Sequence, residues 1–193
     1  MSSLPDSQFS PADALAMLAL ARAAIVSVFE GKTPEVPKPE PPCFSQPRGV
    51  FVTVQVFGKL RGCIGVTEAR SPLREAIVHC AKSAAFRDPR FPPLRPEEVP
   101  GMSIEISLLS PLFPIDAKDI EIGKHGLVVE SGSRRGLLLP QVGTEHRLSA
   151  VRFLEETCRK AGLAPAAWTD PLTQIYAFTC EIFHDERPPA APV

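Results

Sequence analysis

Residues 50–66 read VFVTVQVFGKLRGCIGV, and this run decides the fold. Val50, Val52, Val54 and Val56 alternate with Phe51, Thr53, Gln55 and Phe57. A period of two with one face almost purely valine marks a strand. Gly58-Lys59 supplies a turn, and Leu60–Val66 returns as the hairpin partner. On the returning strand Leu60, Ile64 and Val66 should face one way, and Arg61 and Cys63 the other. Gly62 and Gly65 are poor strand residues. Their presence calls for a bulge, or for close approach of another backbone or a ligand.

Upstream of the hairpin, Ser10 can cap a helix that Pro11 starts and Gly31 ends. Leu15, Leu18, Ile25 and Phe29 recur with helical period, which predicts one packed face. Residues 32–47 form a proline-rich connector, extended and semi-rigid. Downstream, Ser71-Pro72 opens a second helix to about Ala85. Leu73, Ile77, Cys80, Ala81 and Ala84 share one of its faces, with His79 and Lys82 away from it. A proline-punctuated loop, Arg87–Gly101, leads to a strand over Met102–Leu109, with Met102, Ile104, Ile106 and Leu108 inward. Gly126–Glu130 and Arg135–Leu139 flank Ser131-Gly132-Ser133 as a second hairpin. Ser149 caps a helix near Ala150–Ala161, with Leu148 and Phe153 placed for a hydrophobic staple. Ile175–His184 reads as one last strand.

Two hairpins without regular βαβ alternation predict an α+β fold, a mainly antiparallel sheet with packed helices. The 193 residues suit one domain over 10–184, with a flexible N-terminus at 1–9 and a flexible tail at 185–193. A net charge of -1 argues against broad binding to nucleic acid or acidic membrane. The apolar run Ala12–Phe29 is interrupted or flanked by Asp13, Arg22 and Glu30 and has no basic n-region. It is read as too polar to span a bilayer and wrongly flanked for secretion. Cys43, Cys63, Cys80, Cys158 and Cys180 are odd in number and show no C-x-x-C spacing, so free thiols in a reducing cytoplasm are expected. No metal-ligand spacing occurs, and neither a structural metal nor a cofactor is expected.

Several residues could carry chemistry. Arg61 and Cys63 lie roughly 7 Å apart along the strand, and an arginine near a thiol favours the thiolate. Cys63 is then a candidate nucleophile, although a small buried residue would satisfy the same pattern. Arg87-Asp88-Pro89-Arg90, set between Phe86 and Phe91, reads either as an anion-binding loop or as a salt-bridged turn. His125, between Lys124 and Gly126, is either an acid–base partner for Cys63 or a hydrogen-bonded turn residue.

Leu60-Arg61-Gly62-Cys63-Ile64-Gly65 resembles the signature of the AMMECR family. Ala84–Leu94, Lys124-His125-Gly126-Leu127, Gly136–Gln141 and Cys158–Leu163 with Trp168 resemble further blocks of it, in order, from about Leu15 to Phe183. The resemblance implies an α+β fold with a main antiparallel sheet and a smaller subdomain. It implies a role beside a Memo-like protein and a radical SAM protein, on an unknown small molecule or peptide. It points to the surface around Arg61, Gly62, Cys63 and Gly65, with Arg87, Asp88, Arg90, His125 and Gln141 as further site residues. Two departures stand out: Val66 occupies a position where relatives often carry Ser or Thr, and Val142–Arg147 reads as a loop.

Overall fold

The alternating valines of β1 (Val50–Val56) are all buried, and the residues between them are only half-buried. This is the burial pattern of a strand with one face on a core. A computed structural model describes residues 9–68 and 70–185. The N-terminal residues 1–8 and most of the expected tail fall outside the described residues. β1 pairs antiparallel with β2 (Lys59–Val66) on one side and β3 (Met102–Leu109) on the other. With β8 (Cys180–His184) they form a four-stranded sheet in the order β2-β1-β3-β8. The hairpin turn falls one residue earlier than expected, at Phe57-Gly58, both at positive φ. Such values belong to a type I′ turn.

Two helices cover the valine face. α1 (Pro11–Glu30) begins with a reciprocal capping box between Ser10 and Asp13 and ends at Gly31 in the left-handed region. α2 (Leu73–Phe86) packs on α1 and on the hairpin, burying Leu73, Ile77, Cys80, Ala81 and Ala84. Leu18 and Ile25 are buried and Phe29 packs against the core, as expected, but Leu15 does not join them. Met17, Leu20, Ala21, Ala24 and Ile25 are sealed, whereas Leu15 is 68% exposed. By length and composition α1 is apolar enough to cross a membrane, contrary to the sequence reading. Here its apolar side joins the core with Phe44 and the β1 valines.

Contacts divide the described residues into two units, one reaching to residue 108 and resuming at 181, the other spanning 109–180. The second has its own sheet, in the order β4-β7-β5-β6. It comprises β4 (Phe113–Pro114), β5 (Gly126–Ser131), β6 (Arg134–Leu138) and β7 (Gln174–Phe178), all antiparallel where paired. α3 (Pro140–Glu145) replaces the loop expected over Val142–Arg147, because Pro140 fits a first helical turn. α4 (Ala150–Lys160) is capped by Ser149, whose side chain accepts the Arg152 N–H. It buries Phe153, Leu154 and Cys158 with Leu127, Val129 and Ala177.

The last strand of the sequence reading divides at Thr179. β7 joins the second sheet and β8 the first. The Thr179 N–H and C=O bond instead to Ser110, so the ladder cannot run through.

Candidate functional site

β2 is an edge strand, and its sequence is built to be covered from both sides. Between Val54 and Gln55 the pairing shifts by one residue, so Gly62 opposes Val54 while Leu60 opposes Gln55. The extra residue is Arg61, and the bulge re-aims its side chain. It also returns Leu60 to the open face, at 45% exposure, rather than with Ile64 and Val66 as alternation alone predicts. Gly62 turns toward α2. A Cβ there would lie 1.9 Å from the Ala84 carbonyl oxygen, so the helix backbone sits where a side chain would be. Gly65 opposes Phe51, whose ring fills the space above it. The close approach expected at both glycines is thus made by the chain itself.

On the outer edge of β2 the Arg87–Arg90 loop binds the main chain of Cys63. The Cys63 N–H donates to Asp88 Oδ2 at 2.9 Å, and Arg90 Nη2 donates to the Cys63 carbonyl at 3.3 Å. Arg90 also grips Asp88 through Nε at 3.0 Å and Nη2 at 2.7 Å, and its own N–H donates to Oδ1 at 3.1 Å. The Arg90 guanidinium holds the buried Asp88 carboxyl far below the usual carboxylate range, assisted by the Cys63 and Arg90 N–H groups and opposed by burial. The same pairing raises Arg90. Arg87 is exposed and closes α2 with its N–H on the Ser83 carbonyl.

Arg61 is likewise engaged. Its Nε and Nη2 fork onto Glu98 at 2.9 and 3.1 Å, and its remaining donors reach the Pro92 and Pro93 carbonyls. Glu98 is held below its ordinary value chiefly by that guanidinium. Both arginines that could hold an anion beside Cys63 already carry a carboxylate partner.

The Cys63 side chain points to the face opposite the helices, half-buried, and its sulfur accepts from Thr53 Oγ1 at 3.3 Å. Strand register sets Cys63, Thr53 and Glu105 in one row, and His184 Nδ1 lies 3.4 Å from Glu105 Oε2. Sequence reading missed Thr53, Glu98 and Glu105. Thr53 and Glu105 could have been found as the non-valine positions level with Cys63. The other cysteines are poorer candidates. Cys43, Cys80 and Cys158 are buried, and burial pushes Cys80 up to about 11 and the half-buried Cys180 up to about 12.

His125 and Gln141 belong to the second unit. His125 is 6% exposed, and its Nδ1 accepts the Glu121 N–H at 3.1 Å, which is the bond of a turn residue. Burial, with help from Lys124, lowers its affinity for a proton. Gln141 opens α3, and its Oε1 is buried without a hydrogen-bond partner among the described residues.

A profile of the AMMECR1 family matches residues 18–183, a span that holds all of these features. The chain belongs to the AMMECR1 family. It is 45% identical to a protein of Methanothermobacter thermautotrophicus, over 88% of this chain and 93% of that one. A protein of Aquifex aeolicus is 44% identical over 88% and 91%. The crystal structure of an uncharacterised protein of Pyrococcus horikoshii superposes with a TM-score of 0.80 at 40% identity, covering 94% of this chain and 96% of that one. The AMMECR1 fold is therefore the α+β fold described above.

Proposed function

We propose that this AMMECR1-family protein is a cytoplasmic component of a modification system shared with a Memo-like protein and a radical SAM protein, and that it acts through Cys63. The family resemblance supports the system. One observation supports the residue. Cys63 has its main chain fixed by Asp88 and Arg90, while its side chain is half-buried, outside the sealed core, and its sulfur receives the Thr53 hydroxyl. A fixed backbone beneath a side chain that the core does not seal is what a nucleophile presented to a small molecule or peptide requires. In this reading Arg61, Arg90 and Asp88 are positioning residues for the strand.

Site-resolved alkylation of the folded protein with iodoacetamide, read by mass spectrometry from about pH 5 to about pH 9, tests this. Cys63 should be labelled first, and Cys80 and Cys158 only after unfolding. Labelling of Cys63 no faster than Cys80 would sink the proposal.

A second reading, a non-catalytic adaptor for the same partners, is favoured by the pairing of both arginines with carboxylates. Calorimetry with the purified Memo-like protein separates the two. The adaptor predicts that Cys63→Ser leaves the affinity unchanged and that modification activity survives the substitution.

A further inference from the structure

The row of side chains opposite the helices has an internal order. Both main-chain groups of Cys63 point to the outer edge of β2, the N–H to Asp88 and the C=O to Arg90. Cys63 and Thr53 are therefore a non-hydrogen-bonded pair of the antiparallel ladder, the kind whose side chains stand closer. On its other side Thr53 meets Glu105 as the wider, hydrogen-bonded kind. Glu105 turns instead to His184, whose Nδ1 lies 3.4 Å from Oε2. The row splits into two pairs, thiol with hydroxyl and carboxylate with imidazole.

The Thr53 hydroxyl has one proton, and it points at the Cys63 sulfur, 3.3 Å away. Being β-branched, Thr53 is stiff at χ1 and holds that direction. Other donors near the sulfur are committed elsewhere. Arg90 is on Asp88, Arg61 is on Glu98, and the Cys63 N–H is on Asp88. Cys80, on α2, lies beneath the opposite face of the sheet. Among the described residues Thr53 is the one hydrogen-bond donor to this sulfur. A donor aimed at sulfur favours the anion, because a bond to a charged acceptor is the stronger kind.

We propose that Thr53 is the positioning residue that stabilises the Cys63 thiolate. This rests on the reading of Cys63 as a nucleophile. Thr53 touches the sulfur and acts through it.

The test measures rates of iodoacetamide labelling at Cys63 by mass spectrometry, from about pH 6 to about pH 10, on the full chain. Thr53→Val and Thr53→Ala remove the hydroxyl in two ways, and Thr53→Ser keeps it. The hydrogen bond should give about tenfold more thiolate at low pH. A better-stabilised thiolate is also a weaker nucleophile, which returns about threefold of that gain. The native chain should therefore react about threefold faster than Thr53→Val near pH 6.5 and about threefold slower near pH 10. The two profiles cross, and Thr53→Ser follows the native one. Cys80 and Cys158 stay unlabelled throughout, which reports an intact fold. A residue that only packs the sheet would change the rate by one factor at every pH. Parallel or coincident profiles overturn the role of Thr53 and leave Cys63 standing. A native Cys63 that is never labelled overturns both.

Discussion

The Asp88 carboxylate accepts from the Cys63 main chain and from three donors of Arg90. It is 3% exposed, whereas the Arg90 side chain above it is 56% exposed, so water screens the ion pair more than the hydrogen bonds. Asp88→Asn keeps the shape and removes the charge. It should cost about 2 kcal/mol, toward the lower end for breaking a buried charge network, read as a lower urea midpoint at neutral pH. The pH dependence has a definite sign. A carboxyl whose folded value is depressed contributes its stability above its unfolded value, near 3.9, and loses it as pH falls further. The gap between native and Asp88→Asn proteins should be constant from neutral pH to about 5 and narrow below about pH 4. A gap that widens in acid would refute the assignment.

At the scale of elements, each unit sets a helix against a hairpin at a glycine. Gly62 admits the α2 backbone at Ala84. Gly136 on β6 admits α4, where a Cβ would lie 2.3 Å from Ala161 N and 2.6 Å from the Thr157 carbonyl oxygen. Neither helix backbone can retreat without opening a core. Gly62→Ala and Gly136→Ala should therefore each cost about 3 kcal/mol, at the upper end for overpacking. Gly132→Ala, at the β5–β6 turn with open space around it, should cost only about 1 kcal/mol for its positive φ. Urea unfolding of the three variants checks the ranking.

This is also the scale at which the sequence was most legible. Valine alternation, the Ser10 and Ser149 caps and the α2 face were read correctly because each is a local pattern. The glycines of β2 announced a bulge or a close approach, but the placing of the bulge at Arg61, the break at Thr179 and the exposure of Leu15 depend on which distant residues supply the partners, and spacing carries no record of that. The site was legible to the same degree. Arg61, Cys63, Asp88 and Arg90 were found as types in a motif. That Asp88 caps a strand edge, and that Glu98 occupies Arg61, is decided only by the folded chain.

For the molecule as a whole, the net charge of -1 combines with extensive internal pairing of its cations. Arg22, Arg61, Arg74, Arg90, Arg135, Arg152 and Arg159 all lie against carboxylates. Half of the fourteen arginines are thus engaged, and the near-neutral chain has no excess of positive charge with which to release counterions from a phosphate backbone. Fluorescence anisotropy with labelled single-stranded RNA should show no saturable binding at low salt. Saturable binding that weakens as salt is added would contradict this. Residues 109–180 are spliced into the first unit, and the splice has an unusual seam. Ser110 N–H donates to the Thr179 carbonyl at 2.9 Å, so the insert leaves the host chain and rejoins it at neighbouring points. Such a seam decouples the length of the insert from the geometry of its host. Segments of different size could be exchanged between Leu109 and Cys180 while the β3 and β8 backbones keep their places, which makes this junction a natural graft point for chimeras within the family.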